Sequence, residues 1–145
     1  AVDSRTRLNK AARDAARDLR VHAATDVTGF SLSGHSLEVA ENSGVTVEID
    51  TAKVPILTEA EELARFGFIP EGMYNNLDWV NGKIYYSPSI PLEKRDLMLD
   101  PQTSGGLLFF LPMEDAETLV KRMDKDYVRI IGRVKKKGEY SVEFI

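Results

Sequence analysis

Two short stretches carry the residue types that could do chemistry. The first is Thr25-Asp26-Val27-Thr28-Gly29-Phe30, between a short β-compatible run at 21–24 and a helical pattern formed by Phe30, Gly34, Leu37 and Glu41, with Ala40 beside them. A strand that turns through glycine into a helix directs backbone N–H groups and the positive end of the helix dipole at one spot, which suits a phosphate. A carboxylate there repels phosphate, so Asp26 fits such a site if a divalent cation lies between them. The competing reading is that Asp26 or Thr28 caps the helix. The second stretch is Asp100-Pro101-Gln102-Thr103-Ser104-Gly105-Gly106. Pro101 favours an extended Asp100, and the glycines open backbone conformations closed to other residues. Thr103, Ser104, Gly105 and Gly106 could cradle phosphate oxygens through N–H and hydroxyl donors. Here the alternative is a tight turn feeding a strand at 107–111.

Taken at full length, both stretches resemble signatures of one family. The run from His22 to His35, His-Ala-Ala-Thr-Asp-Val-Thr-Gly-Phe-Ser-Leu-Ser-Gly-His, is similar to the opening of the second half of selenophosphate synthetase (selenide, water dikinase). Asp100 to Leu108 is similar to that family's second signature in the same half, and Arg7-Leu8-Asn9-Lys10, Val54-Pro55-Ile56-Leu57 and Ile131-Gly132-Arg133-Val134 agree with it. The resemblance implies conversion of ATP, selenide and water to selenophosphate, AMP and orthophosphate, with magnesium required. It implies that Asp26 is a magnesium ligand and that Thr25, Thr28, Gly29, Thr103, Ser104, Gly105 and Gly106 are candidates for binding the nucleotide. It covers the C-terminal half of that family's protein. The catalytic Cys or selenocysteine, a lysine and further metal aspartates are expected in an N-terminal half, the first partner implied, within a homodimer. No catalytic residue is expected in this chain. Ser31 and Ser33 stand where the family usually has Gly and Leu; Ser31 is expected to stiffen the helix start and Ser33 to remove an apolar contact. A hydrogenase-maturation-type dehydratase domain and a non-catalytic binding module are the rival readings.

Composition bounds the answer without choosing it. A chain of 145 residues, 43% hydrophobic and 29% charged, fits one globular domain. The absence of cysteine excludes disulfides, zinc thiolate sites and cysteine nucleophiles within the chain. A net charge of -4 argues against a general nucleic-acid surface. No apolar run is long enough to cross a bilayer and no signal-peptide pattern opens the chain, so no membrane partner and a cytoplasmic location are expected. The first residue is alanine, as expected of a fragment or processed chain.

The elements that must position these residues follow from periodicity. Leu8, Ala11, Ala12, Ala15, Ala16 and Leu19 form one stripe of an opening helix, with Arg13, Asp14, Arg17 and Asp18 opposite. Alternation over 45–50 predicts a strand with Val45, Val47 and Ile49 inward. Thr58 reads as the N-cap of a helix over 59–66, with Glu59, Glu61 and Glu62 suited to its dipole. Asn81-Gly82 predicts a hairpin that pairs 77–80 with 83–86. Tyr74, Trp79, Tyr85 and Tyr86 are assigned to packing, with an aromatic ligand shelf as the alternative. Residues 88–95 form a loop or short helix. Pro112 starts a helix with Met113, Ala116, Leu119, Val120 and Met123 on one face. Strands at 127–134 and 139–144 are expected to form a second hairpin around a solvated Lys135-Lys136-Lys137-Gly138 turn. This order predicts an α+β domain, helices packed on a mainly antiparallel or mixed sheet, similar to the C-terminal domain of aminoimidazole ribonucleotide synthetase. The two signature loops are expected to share one side of it.

Overall fold

The computed structural model describes residues 8–123 and 128–145. Among them are helices α1 (Lys10–Ala16), α2 (Ser31–Ser43), α3 (Ala60–Arg65), α4 (Glu71–Val80), α5 (Leu92–Met98) and α6 (Met113–Arg122). The strands are β1 (Ala23–Asp26), β2 (Val45–Ile49), β3 (Ile84–Tyr86), β4 (Leu107–Phe110), β5 (Gly132–Lys136) and β6 (Val142–Phe144). The expected α+β class with a mixed sheet is the one observed. One sheet has the order β3-β6-β2-β5 and the other pairs β1 with β4.

α2 lies at the centre of this arrangement. Leu37 and Ala40 on it are fully buried against Val47 and Ile49 of β2, Val142 and Phe144 of β6, and Met73 and Val80 of α4. Burying a side chain the size of Phe144 contributes about 2 kcal/mol, and its ring also stacks on Tyr86 at 5.0 Å. Gly44 ends α2 in the left-handed conformation, with its N–H on the Ala40 and Glu41 carbonyls, as the Asn-Ser-Gly stop predicts.

Both predicted hairpins are absent. Residues 77–80 are the last turn of α4, not a strand, and β3 runs parallel to β6 through Ile84↔Val142 and Tyr86↔Phe144. Met73, Leu77 and Val80 recur at helical spacing, and burying Met73 and Val80 outweighs the poor helix propensity of Gly72 and the two asparagines. Gly82, at φ 76°, turns the chain from α4 into β3 instead. At the C-terminal end, β5 is antiparallel to β2 and β6 is parallel to it, so β2 separates the two expected hairpin arms. The Gly138 N–H donates to Thr46 Oγ1 on β2, which anchors the connection across that strand's end. Tyr127, where the first of those arms was expected to begin, lies outside the described residues.

Other boundaries shift for local reasons. β2 buries both faces: beside Val47 and Ile49, Thr46 donates to the Tyr140 carbonyl, and Glu48 takes Arg133 at 2.6 Å and Lys135 at 2.8 Å. Lys135 also reaches Glu143 at 2.6 Å, so the lysine run is not simply solvated. α3 starts one residue later than expected, at Ala60, and neither Thr58 nor Glu59 caps it through a side chain. Leu8 is 75% exposed, and the α1 stripe buries Ala16 alone. α1 is instead tied to α6 through charge, Arg122 donating to both oxygens of Asp18 at 2.5 and 2.9 Å and to the Ala15 carbonyl.

Candidate functional site

The two signature stretches meet at one end of the small sheet. Asp26, the last residue of β1, is paired in register with Leu107, the first of β4. Beyond that pair the loops continue to bond each other. Val27 N–H donates to the Gly106 carbonyl and Gly105 N–H to the Val27 carbonyl, both at 3.0 Å, and Gln102 N–H donates to the Thr28 carbonyl at 3.1 Å. Asn9 Nδ2 reaches the Gly105 carbonyl from the N-terminal side at 3.2 Å. A β-carbon on Gly105 would lie 2.1 Å from the Val27 oxygen, so this approach requires glycine there.

Asn76 braces the pair from behind. Only 6% exposed, its Nδ2 donates to the carbonyls of Gly29 at 2.9 Å, in the first stretch, and Leu99 at 3.0 Å, the residue just before the second. Sequence reading missed this residue, since nothing local marks an asparagine on a helix as the link between two distant loops. Gly72 on the same helix packs against Pro101. Phe30 and Trp79 lie alongside, rings 5.2 Å apart, and both remain partly exposed. Trp79 thus packs on Phe30 and over Gly34 as expected, whereas Tyr74 is exposed. Tyr85 rests on Tyr140, and Tyr86 packs as expected.

The individual candidates differ. Asp26 is exposed, and among the described residues its carboxylate has no hydrogen-bond or ionic partner. Neither Asp26 nor Thr28 caps α2, which begins at Ser31 with no side-chain cap, so the capping alternative fails on geometry. The turn is also not an open cradle: Ser31 N–H is bonded to the Thr28 carbonyl and Gly34 N–H to that of Phe30. Phe30 itself lies outside the α2 stripe, half-exposed. Thr25 Oγ1 donates locally to the Asp26 carbonyl. Thr28 Oγ1 lies 3.0 Å from His35 Nε2, and His35 Nδ1 lies 3.0 Å from Glu38 Oε2. Gly29 and Gly106 have open space where a β-carbon would be. Thr103 and Ser104 are exposed. Asp100 is held by Gln102 Nε2 at 2.8 Å, and burial pushes its carboxyl above the ordinary value despite that bond.

Ser31 departs from the expectation of a stiffened helix start, whereas Ser33 makes polar contacts in place of an apolar one. Ser31 is fully buried at φ 67°, a left-handed conformation that favours glycine, so it strains the helix start. Ser33, also fully buried, replaces an apolar contact with a polar one: it donates to the Met98 carbonyl at 2.8 Å and accepts from Tyr86 OH at 2.9 Å. Burial holds that phenol up at about 12, so it remains a donor.

Among the described residues no three metal-ligating side chains gather at one point. Asp26 could therefore supply one ligand to a divalent cation, the remainder coming from water, phosphate oxygens or residues elsewhere. Magnesium accepts such a set, since it is commonly held by one or two carboxylates together with substrate phosphates.

This is an α+β domain whose two glycine-bearing loops are laced into a single polar edge. It belongs to the family described as AIR synthase related protein, C-terminal domain, which matches residues 2–145. The chain is 46% identical to the selenide, water dikinase of Clostridium botulinum (strain Eklund 17B / Type B) over 134 residues, covering 91% of this chain and 39% of that protein. It is 44% identical over 145 residues to the selenide, water dikinase of Caldanaerobacter subterraneus subsp. tengcongensis, covering 98% and 42%. Selenide, water dikinase 2 of Peptoclostridium acidaminophilum is 42% identical over 138 residues, covering 93% and 40%. The chain spans about two-fifths of the length of these curated relatives. No helix among the described residues is long and apolar enough to cross a membrane.

Proposed function

We propose that the chain is the C-terminal domain of a selenide, water dikinase, and that its loop edge forms part of an ATP–magnesium site completed by an N-terminal domain. The observation that supports this best is the exposed Asp26 carboxylate, without a hydrogen-bond or ionic partner among the described residues, on a loop pair fixed by three backbone hydrogen bonds. An exposed carboxylate on a rigidly held backbone suits a metal ligand better than a structural group. The relatives carry the dikinase name, which favours this reading over an ATP-dependent dehydratase or a non-catalytic module.

Bound magnesium would neutralise phosphate charge and orient the nucleotide for transfer. Asp26 would hold it from this side. Thr103, Ser104 and Gly106 would offer N–H groups, and the first two their hydroxyls, to phosphate oxygens, and Thr25, Gly29 and Gly105 would belong to the backbone frame that carries Asp26. The Cys or selenocysteine, the lysine and the other metal aspartates would come from the N-terminal domain, and the whole enzyme would work as a cytoplasmic homodimer.

Asp26→Asn tests this in the protein that carries both domains. It keeps the shape of the side chain but removes the charge. Selenide-dependent AMP formation should be lost while the thermal midpoint stays within about a degree or two, as for an exposed surface change. Turnover near that of the parent, or a variant that unfolds, overturns the metal role. The isolated chain should form no AMP above a protein-free control.

A further inference from the structure

The contact between Thr28 and His35 fixes more than a distance. His35 is 8% exposed, and the Phe30 ring meets its imidazole edge-on at 5.8 Å. Its Nδ1 faces Glu38 one turn along α2 and its Nε2 faces Thr28. An ionised carboxylate accepts hydrogen bonds and donates none, so Nδ1 must carry the hydrogen in that pair. Where the imidazole is neutral with its hydrogen on Nδ1, Nε2 offers a lone pair, and Thr28 then donates its single hydroxyl hydrogen inward. What remains on Thr28 Oγ1 is acceptor capacity alone.

The Thr28 backbone is pinned as well, its carbonyl accepting from Gln102 in one stretch and Ser31 in the other. Side chain and main chain are thus both held, two residues from the Asp26 carboxylate.

We propose that Glu38 and His35 are positioning residues that set Thr28 as a hydrogen-bond acceptor at the loop edge, so that it receives a hydrogen from water bound to the divalent cation. This rests on the ATP–magnesium reading and refines it: Thr28 does not donate to phosphate oxygen. An acceptor beside a cation's water shell orients that water, because metal-bound water is a strengthened donor. A hydroxyl aimed at phosphate would need its hydrogen facing outward, which the His35 lone pair prevents.

Long-range proton–nitrogen spectra of the chain, recorded near neutral pH without nucleotide or metal, read the tautomer directly. The exposed His22 serves as internal reference. The expected result is neutral His35 protonated at Nδ1, with a slowly exchanging Thr28 hydroxyl hydrogen. Thr28→Val should remove that hydrogen and shift the Nε2 signal, and Glu38→Gln should shift the Nδ1 signal. A His35 protonated at Nε2, alone or as imidazolium, overturns the proposal.

A second readout uses the protein with both domains. Thr28→Val should raise the magnesium concentration for half-maximal AMP formation by roughly tenfold, the scale of one hydrogen bond to a charged group. Thr28→Ser should stay within about twofold, since it keeps the acceptor. An unchanged magnesium requirement in Thr28→Val overturns the proposal even if kcat falls. The spectra need no turnover, so a parent protein without dikinase activity would overturn the functional reading while the tautomer result stood.

Discussion

The N–H of Gly105 donates to the carbonyl of Val27 at 3.0 Å, and a β-carbon on Gly105 would sit 2.1 Å from that same oxygen. Two residues 78 positions apart are therefore joined by a contact that admits no side chain on one of them. Gly105→Ala should force the loops apart and lower stability by about 2–3 kcal/mol, the range for an added group with nowhere to go. Gly106→Ala is the matched control, because its β-carbon would meet open space, and it should cost no more than about 0.5 kcal/mol. Urea unfolding of both variants distinguishes them, and equal midpoints would show that the loops yield without cost.

That relationship was legible in the sequence only in outline. Both stretches announced themselves by density of Gly, Thr and Asp, and each lay next to an apolar strand, so a shared edge could be expected. Their register could not, because pairing Asp26 with Leu107 is a long-range contact with no local signature. α4 departs from the sequence expectation for a different reason. Met73, Leu77 and Val80 carried the helical period, but Asn81-Gly82 carried a stronger turn signal, and the turn proved to close a helix rather than a hairpin. The insertion of β2 between β5 and β6 was equally hidden, since two neighbouring strands and a lysine-glycine turn look the same whether or not a third strand comes between them. His35 carries no local mark of its contact with Thr28, and Glu38 three residues on is the available clue to its other partner.

Ser31 carries the positive φ that its neighbours impose, with its side chain fully buried. A left-handed conformation costs an L-residue about 1–2 kcal/mol relative to its preferred one, and glycine escapes most of that while losing some chain entropy. Ser31→Gly should therefore raise stability by about 0.5–1 kcal/mol. Calorimetry of the two proteins side by side is the measurement. A lower midpoint in the glycine variant would mean that the long contact between Ser31 Oγ and the Gly34 N–H, at 3.4 Å, outweighs the strain.

Glu48 is buried on the outer face of the large sheet, and Lys135 first, then Arg133, hold its carboxyl below the ordinary 4.5. A depressed folded value means the folded state binds the proton less readily than the unfolded chain does. The stability this pair contributes is then complete above the unfolded value and is lost as pH falls through the folded one. Glu48→Gln should lower stability near pH 7 by about 1 kcal/mol, discounted for the exposure of Arg133. The difference should shrink on acidification below about 4.5. Parallel stability curves from neutral to acid pH would show that the ion pairs add nothing.

Asn76 offers the sharpest separation between a packing residue and a hydrogen-bonding one. Its amide nitrogen donates to Gly29 and Leu99, so one side chain ties the first stretch, and the residue that leads into the second, to α4. Asn76→Leu keeps the volume but leaves two buried carbonyls without that donor, which should cost about 2–4 kcal/mol. Asn76→Asp changes the shape least of all, yet it replaces the donor with an acceptor facing two carbonyl oxygens. If the amide acts through its hydrogens, the aspartate variant should be the less stable of the two near pH 7 and should recover toward Asn76→Leu as acid protonates the new carboxyl. If Asn76 merely fills space, the isosteric aspartate should instead be the milder change at every pH. Thermal unfolding of both variants at neutral and acid pH decides between the two, and the order of their midpoints is the result to read.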